Sequence, residues 1–137
     1  RKNTYFEGGE QPVTHIDFTE PYSAPLRRRI VDAARACGEA VIEDAIYAAS
    51  QGPRLETAAE IDRLERDGAD MVGMTGMPEA ALARELELDY ATIAVIANSA
   101  AGRAGSLHGI RLEQIERVLQ ESLARVRRII EKLVAMK

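Results

Sequence analysis

Cysteine occurs once in the 137 residues, at Cys37; tryptophan is absent, and histidine and phenylalanine occur twice each. A lone cysteine excludes an intrachain disulfide and a cysteine-built zinc site, and it fits a reducing, cytoplasmic setting. His15 and His108 lie too far apart for ligand spacing, so no catalytic metal is expected. No apolar run approaches the ~20 residues of a membrane span. The longest, Tyr90 to Ala97, is interrupted by Thr92 and has the length of a strand. Arg1-Lys2-Asn3-Thr4 is not followed by an apolar stretch, so no signal peptide is visible. Positive charge is not massed: 18 Lys and Arg stand against 22 Asp and Glu, with a net charge of −4 and no basic stripe. A nucleic-acid partner is therefore not expected. Also missing are a P-loop, a G-x-G-x-x-G turn, an H-E-x-x-H helix and a G-x-S-x-G elbow.

What remains is a globular composition, 46% hydrophobic and 29% charged, long enough for one domain. Val13 to Phe18 alternates loosely and is expected to be a strand containing His15. Pro25 suits the first turn of a helix that continues through Leu26, Ile30, Val31, Ala34 and Cys37 and ends at Gly38 in a left-handed conformation. Val41 to Ala48 reads as a strand broken by Gln51-Gly52-Pro53. Thr57-Ala58-Ala59-Glu60 is a capping box opening a helix that Gly68 closes. Asp70 to Met74 reads as a short strand, and Pro78 starts a helix carrying Leu82 and Leu86. Tyr90 to Ala97, rich in β-branched residues, reads as a strand buried on both faces. A loop of small residues, Asn98 to Gly109, leads into a long amphipathic helix marked by Leu112, Ile115, Val118, Leu119, Leu123, Val126, Ile130 and Leu133. This alternation of strand and helix predicts an α/β fold with a largely parallel sheet covered by helices.

Ligands of open α/β sheets bind beyond the carboxyl ends of the strands. Here those places are the loops Ser50–Glu56, Met74–Met77 and Asn98–Gly109, so Glu56, Met74, Thr75 and Asn98 are candidates on position alone. Each also has an ordinary structural role open to it. Glu56 precedes a helix N-terminus, which favours a carboxylate by itself. Met74 can fill core, Thr75 and Asn98 can start turns, and His15 can be a structural histidine.

The blocks Gly52-Pro53-Arg54-Leu55-Glu56-Thr57-Ala58-Ala59-Glu60, Gly68-Ala69-Asp70-Met71-Val72-Gly73-Met74-Thr75, Met77-Pro78-Glu79-Ala80-Ala81-Leu82-Ala83-Arg84-Glu85 and Tyr90-Ala91-Thr92-Ile93-Ala94 decide among these. In order and spacing they resemble the trimeric purine nucleoside phosphorylases and methylthioadenosine phosphorylases. His15-Ile16-Asp17-Phe18-Thr19-Glu20-Pro21-Tyr22 resembles the matching upstream block. The resemblance implies a three-layer α/β sandwich with a mixed, largely parallel sheet. It implies phosphate-dependent cleavage of a purine nucleoside, with no cofactor beyond inorganic phosphate as co-substrate. It assigns Met74 to the ribose, Thr75 to phosphate through its hydroxyl and backbone, Glu56 and Asn98 to the base with Ser99 and Ala100 beside them, and Ile115 and Val118 to the 5′ pocket. Leu55 stands where the family stacks an aromatic residue on the base. His15 corresponds to a residue reaching into a neighbouring subunit's site, and a homotrimer is implied.

Asn98 offers both a donor and an acceptor, so it suits a 6-oxo group together with a protonated N7, whereas a carboxylate suits a 6-amino group. Ala100 lacks the second carboxylate of adenine-specific relatives. Ile115 in place of a histidine favours a 5′-methylthio group over a hydroxyl. Glu56, Asn98 and Ile115 thus form the expected specificity set, resembling the branch of the family that acts on S-methyl-5′-thioinosine. His108 is an alternative 5′-hydroxyl partner if the loop is shifted. Methylthioadenosine, inosine or guanosine as substrate, or a nucleoside-binding module without turnover, remain open alternatives. The family's glycine-rich phosphate loop and its Arg–His phosphate pair lie upstream of the matching blocks and do not appear here. Residues 1–137 are therefore expected to form the C-terminal part of a single phosphorylase domain, inactive by itself or paired with an N-terminal half.

Overall fold

The computed structural model describes residues 3–6 and 12–136; Arg1 and Lys2 lie outside them. Helix α1, Ala24–Ala36, starts where Ser23 Oγ accepts the Leu26 N–H and Pro25 occupies the first turn. It ends at Cys37, and Gly38 follows with φ +71°. Strand β1, Tyr47–Ala49, leads through the loop at Gly52-Pro53 to α2, Ala58–Arg66, and then to β2, Met71–Gly73. The two strands are parallel, with Tyr47 opposite Met71 and Ala49 opposite Gly73. A helical crossover between parallel strands is the βαβ unit that the alternating sequence pattern predicts.

Helix α3 spans Gly76–Glu85, but Met77 is extended (φ −120°, ψ 137°), so its regular part begins at Pro78. Proline suits that place because it has no N–H to leave unpaired. A short 3₁₀ turn, Ala104–Ser106, lies within the small-residue loop, and α4 runs from Leu112 to Ala135. Helices α1 and α4 pack on each other through Ala33, Ala34 and Ile129, with Ile30, Ile93, Leu133 and Met136 around them. Glu39 fastens the same junction: its carboxylate accepts from Arg125 Nε at 2.7 Å and from the Arg128 guanidinium. Those two guanidinium groups hold the Glu39 carboxyl below its ordinary pKa.

Several expected strands are shorter or missing. Residues 13–18 form no strand, and His15 lies exposed on an irregular segment. The strand expected over 41–48 narrows to Tyr47–Ala49, and the one over 70–74 narrows to Met71–Gly73. Residues 90–97 pair with no strand among the described residues, nor are they buried on both faces. Exposure alternates along them, with Thr92, Ala94 and Ile96 exposed and Ile93 and Val95 turned inward. That alternation is the period of a strand. What it lacks is a neighbour to bond to. Segments 40–45 and 91–96 line one groove of about 540 Å³, together with Ile30 and Val31 of α1 and Val126 and Ile129 of α4. Helix α4 also departs from a single buried stripe: Leu112, Leu119, Leu123 and Ile130 face solvent.

Candidate active site

The βαβ unit positions the first two candidate loops. Ser50 N–H donates to the Gly73 carbonyl at 2.9 Å, extending the β1–β2 pairing by one bond into the loops that follow both strands. Gly52 then takes φ +59°, a conformation that favours glycine. A Cβ there would lie 2.5 Å from Met74 Sδ, so the absence of a side chain is what lets Met74 lie against this loop. Further along, Ser50 Oγ donates to the Glu56 carboxylate. Glu56 is half-buried, while Leu55 beside it is 44% exposed. The sequence reading missed Ser50, although a hydroxyl at the end of a strand and six residues before a carboxylate is a signal within reach.

Glu56 immediately precedes the N-terminus of α2, which is firmly capped. Thr57 and Glu60 form the expected capping box, with Thr57 N–H donating to Glu60 Oε2 at 2.8 Å and Glu60 N–H to Thr57 Oγ1 at 3.2 Å. Arg54 clasps the same carboxylate with two bonds, at 2.7 and 2.8 Å. Arg54 first, then the Thr57 amide, lowers the Glu60 pKa to about 2. A carboxyl held below its ordinary value stabilises the fold above about pH 4.5, and that contribution is lost as pH falls through about 2. An NMR titration of Glu60 is therefore expected to give a midpoint near 2, moving up toward the ordinary range in Arg54→Met. A midpoint above 4 in the unsubstituted chain would refute the clasp.

The third loop docks on α2. A Cβ on Gly102 would lie 2.8 Å from Ala58 Cβ, and Arg103 reaches Asp62 at 2.7 Å and Glu65 at 2.5 Å. Loop 98–109 is thereby tied to the helix that Glu56 precedes. Asn98 is exposed, and its Nδ2 donates to the Ser99 carbonyl at 2.7 Å. Its second N–H and its carbonyl oxygen are what it can offer a base. Ser99 and Ala100 are half-buried in the same loop. Thr75 is exposed, and its backbone N–H, expected to serve phosphate, donates instead to Tyr47 Oη at 3.3 Å.

Contacts therefore link the loops holding Glu56 and Met74 directly, and tie the Asn98 loop to them through α2. Ile115 and Val118 are half-buried on the first turns of α4. The 540 Å³ groove contains none of Glu56, Met74, Thr75 or Asn98. Chemistry is better sought at the loops, because the groove holds none of the candidate residues and much of its lining is apolar, with Ile30, Val31, Val41, Ile42, Ile93 and Val95 among it. A recess of about 190 Å³, lined by Asn3, Ala49, Ser50, Gln51, Met77 and Pro78, does adjoin them. Among the described residues no cluster of three or more His, Cys, Asp or Glu could hold a metal ion.

The chain matches the phosphorylase superfamily over residues 1–135. It is 50% identical, over 135 residues, to a probable S-methyl-5′-thioinosine phosphorylase of Pseudomonas syringae pv. tomato, covering 98% of this chain and 54% of that one. It is 50% identical over 107 residues to a probable 6-oxopurine nucleoside phosphorylase of Thermococcus kodakarensis, covering 74% of this chain and 40% of that one. Its fold superimposes on the methylthioadenosine phosphorylase of Schistosoma mansoni in complex with adenine, with a TM-score of 0.91 at 25% identity, covering 99% of this chain and 54% of the other. The chain thus spans about half the length of the curated relatives it matches. The α/β architecture expected from the sequence is that of the nucleoside phosphorylases, with the sheet here reduced to β1 and β2. The chain belongs to the phosphorylase superfamily.

Proposed function

We propose that this chain supplies the base- and sugar-binding loops of a cytoplasmic purine nucleoside phosphorylase that prefers S-methyl-5′-thioinosine, releasing hypoxanthine and 5-methylthioribose 1-phosphate for salvage. Phosphorylases take inorganic phosphate as co-substrate and need no cofactor. A phosphate oxygen bonds to the anomeric carbon as the bond from that carbon to N9 breaks, and the electron pair leaves with the purine. Asn98 accepts from the protonated N7 and donates to O6, stabilising charge that develops in the transition state. Met74 lies under the ribose, Thr75 gives its hydroxyl to phosphate, and Glu56, buttressed by Ser50, binds the far edge of the base. Leu55 covers the base with an aliphatic face. Ile115 and Val118 wall the 5′ pocket, and His15 serves the neighbouring subunit's site in a homotrimer.

The observation that carries this reading is the mutual fastening of the loops: Met74 on Gly52, Glu56 on Ser50, and the Asn98 loop on α2. Loops fastened to one another beyond β1, beyond β2 and after the strand-like run 90–97 fit a shared ligand. The relatives' names support the 6-oxopurine and the methylthio group.

The reading includes a complementary N-terminal half, without which the chain is inactive. A folded chain of 15.0 kDa is expected to expose ~7,000 Å². This one exposes 10030 Å². The excess, about 3,000 Å² on this side alone, is at least one partner's share of an obligate interface.

With the assembled enzyme in excess phosphate, methylthioinosine is expected to be cleaved at least about 100-fold faster, as kcat/KM, than methylthioadenosine. Equal rates would remove Asn98 as the selector. Faster cleavage of inosine than of methylthioinosine would move the 5′ pocket from Ile115 to His108. Calorimetry that finds hypoxanthine bound alike with and without phosphate, and no turnover, would favour a binding module instead.

A further inference from the structure

Tyr47 belongs to none of the roles above, yet its hydroxyl sits where the Thr75 turn begins. Tyr47 Oη accepts the N–H groups of both Thr75 and Gly76, each at 3.3 Å. Two glycines make room for it: a Cβ on Gly73 would lie 2.2 Å from that oxygen, and one on Gly76 would lie 2.9 Å from the Tyr47 ring. Two other tyrosines close the same corner. Tyr22 Oη stands 3.1 Å from where a Gly76 Cβ would be, and the Tyr22 ring stacks on Tyr90 with centroids 5.9 Å apart. Tyr90 Oη in turn donates to Glu79 of α3 at 2.8 Å. Burial and this hydrogen bond push the Tyr90 hydroxyl up to about 12, so it remains a donor at any working pH.

The turn needs such an acceptor. The regular helix starts only at Pro78, so the Thr75 and Gly76 amides have no place in its ladder. Gly76 is buried, and an unpaired N–H there is costly. The Thr75 hydroxyl makes no cap bond to the helix that follows. Tyr47 satisfies the two amides from outside and so fixes the backbone of the turn that carries the Thr75 hydroxyl.

We propose that Tyr47 is a positioning residue of the phosphate site: its hydroxyl fixes the 75–76 turn so that the Thr75 hydroxyl, rather than the turn's amides, faces inorganic phosphate. This rests on the reading of Thr75 as the phosphate donor. Tyr47→Phe keeps the ring between its glycines and removes only the acceptor. In the assembled phosphorylase it is expected to raise KM for phosphate about tenfold, the worth of one hydrogen bond, with KM for the nucleoside within twofold. Thr75→Ala raises the same KM, and the double variant is no worse than Thr75→Ala alone, because both act through one hydroxyl. Amide hydrogen exchange at Thr75 and Gly76 speeds up in Tyr47→Phe. A phosphate KM unchanged or lowered would overturn the proposal, a lowered one because the amides would then be the phosphate donors. Equal increases in both KM values would reduce Tyr47 to a packing role. If the unsubstituted enzyme releases no base in phosphate, the phosphorylase reading fails and the phosphate role of Tyr47 goes with it. Unaltered exchange at Thr75 and Gly76 would sink the anchoring itself, whatever the activity.

Discussion

Asn98→Asp is expected to invert the base preference of the assembled enzyme, changing the ratio of 6-oxo to 6-amino turnover by about 1,000-fold. The side chains are nearly the same size, so the effect is one of donors and acceptors. Asn98 Nδ2 already gives one N–H to the Ser99 carbonyl, leaving one N–H and Oδ1 for a ligand. With a 6-oxopurine protonated at N7, that pair matches O6 and N7–H. A carboxylate has no N–H to give O6, so two acceptors would face each other without a proton, and a buried acceptor without a donor is costly. A 6-amino group presents the donor that a carboxylate requires. The substitution also sets a negative charge beside the Ser99 carbonyl that Asn98 now bonds, so part of the loss on the 6-oxo side comes from loop rearrangement. The two contributions separate in the assay. Rearrangement lowers turnover of both bases, whereas recognition lowers one and raises the other. Parallel loss on hypoxanthine and adenine nucleosides would show that Asn98 holds the loop and does not read the base.

How far such a residue can be read from sequence depends on how local its causes are. The capping box at Thr57–Glu60, the proline-led start of the regular part of α3 and the close of α1 at Gly38 involve residues within one turn of each other, and all stand where the sequence puts them. Strands are different. Residues 90–97 have the composition and the alternating exposure of a strand, but a ladder requires a second segment to bond to, and none of the described residues provides one. The candidate site divides in the same way. Asn98, Met74 and Thr75 were legible because each directly follows a strand-like run. Ser50 was within reach as a hydroxyl six residues before Glu56 in the same loop, but Tyr47 was not, because its importance lies in the Thr75–Gly76 amides, which the parallel pairing of β1 with β2 brings close. A trace of Tyr47 is nonetheless present in the sequence: Gly73 and Gly76 bracket the candidate turn, and paired glycines mark a close approach by something bulky.

The groove lined by segments 40–45 and 91–96 gives the second large effect, one that cannot be seen in the chain alone. Ile42 and Ile96 line it while 89% and 63% exposed. Replacing so exposed a residue as Ile96 with Asp is expected to change the stability of this chain by no more than about 0.5 kcal/mol. If the complementary half seats an extended segment in the groove, the same substitution removes a buried apolar side chain and buries a carboxylate without a partner. The Kd for that half should then rise at least about 100-fold, or about 2.7 kcal/mol. Leu88→Asp is the control, because Leu88 is 59% exposed and lies outside the groove. Mixing each variant with a polypeptide carrying the part of the Pseudomonas syringae relative that this chain does not span would give both readouts, association by sedimentation and recovery of phosphate-dependent base release. Loss with Ile96→Asp and retention with Leu88→Asp is the expected pattern. Equal affinity for both variants would mean that the groove stays open in the assembled enzyme and that the exposed apolar side chains of α4, Leu119, Leu123 and Ile130, carry the contact instead.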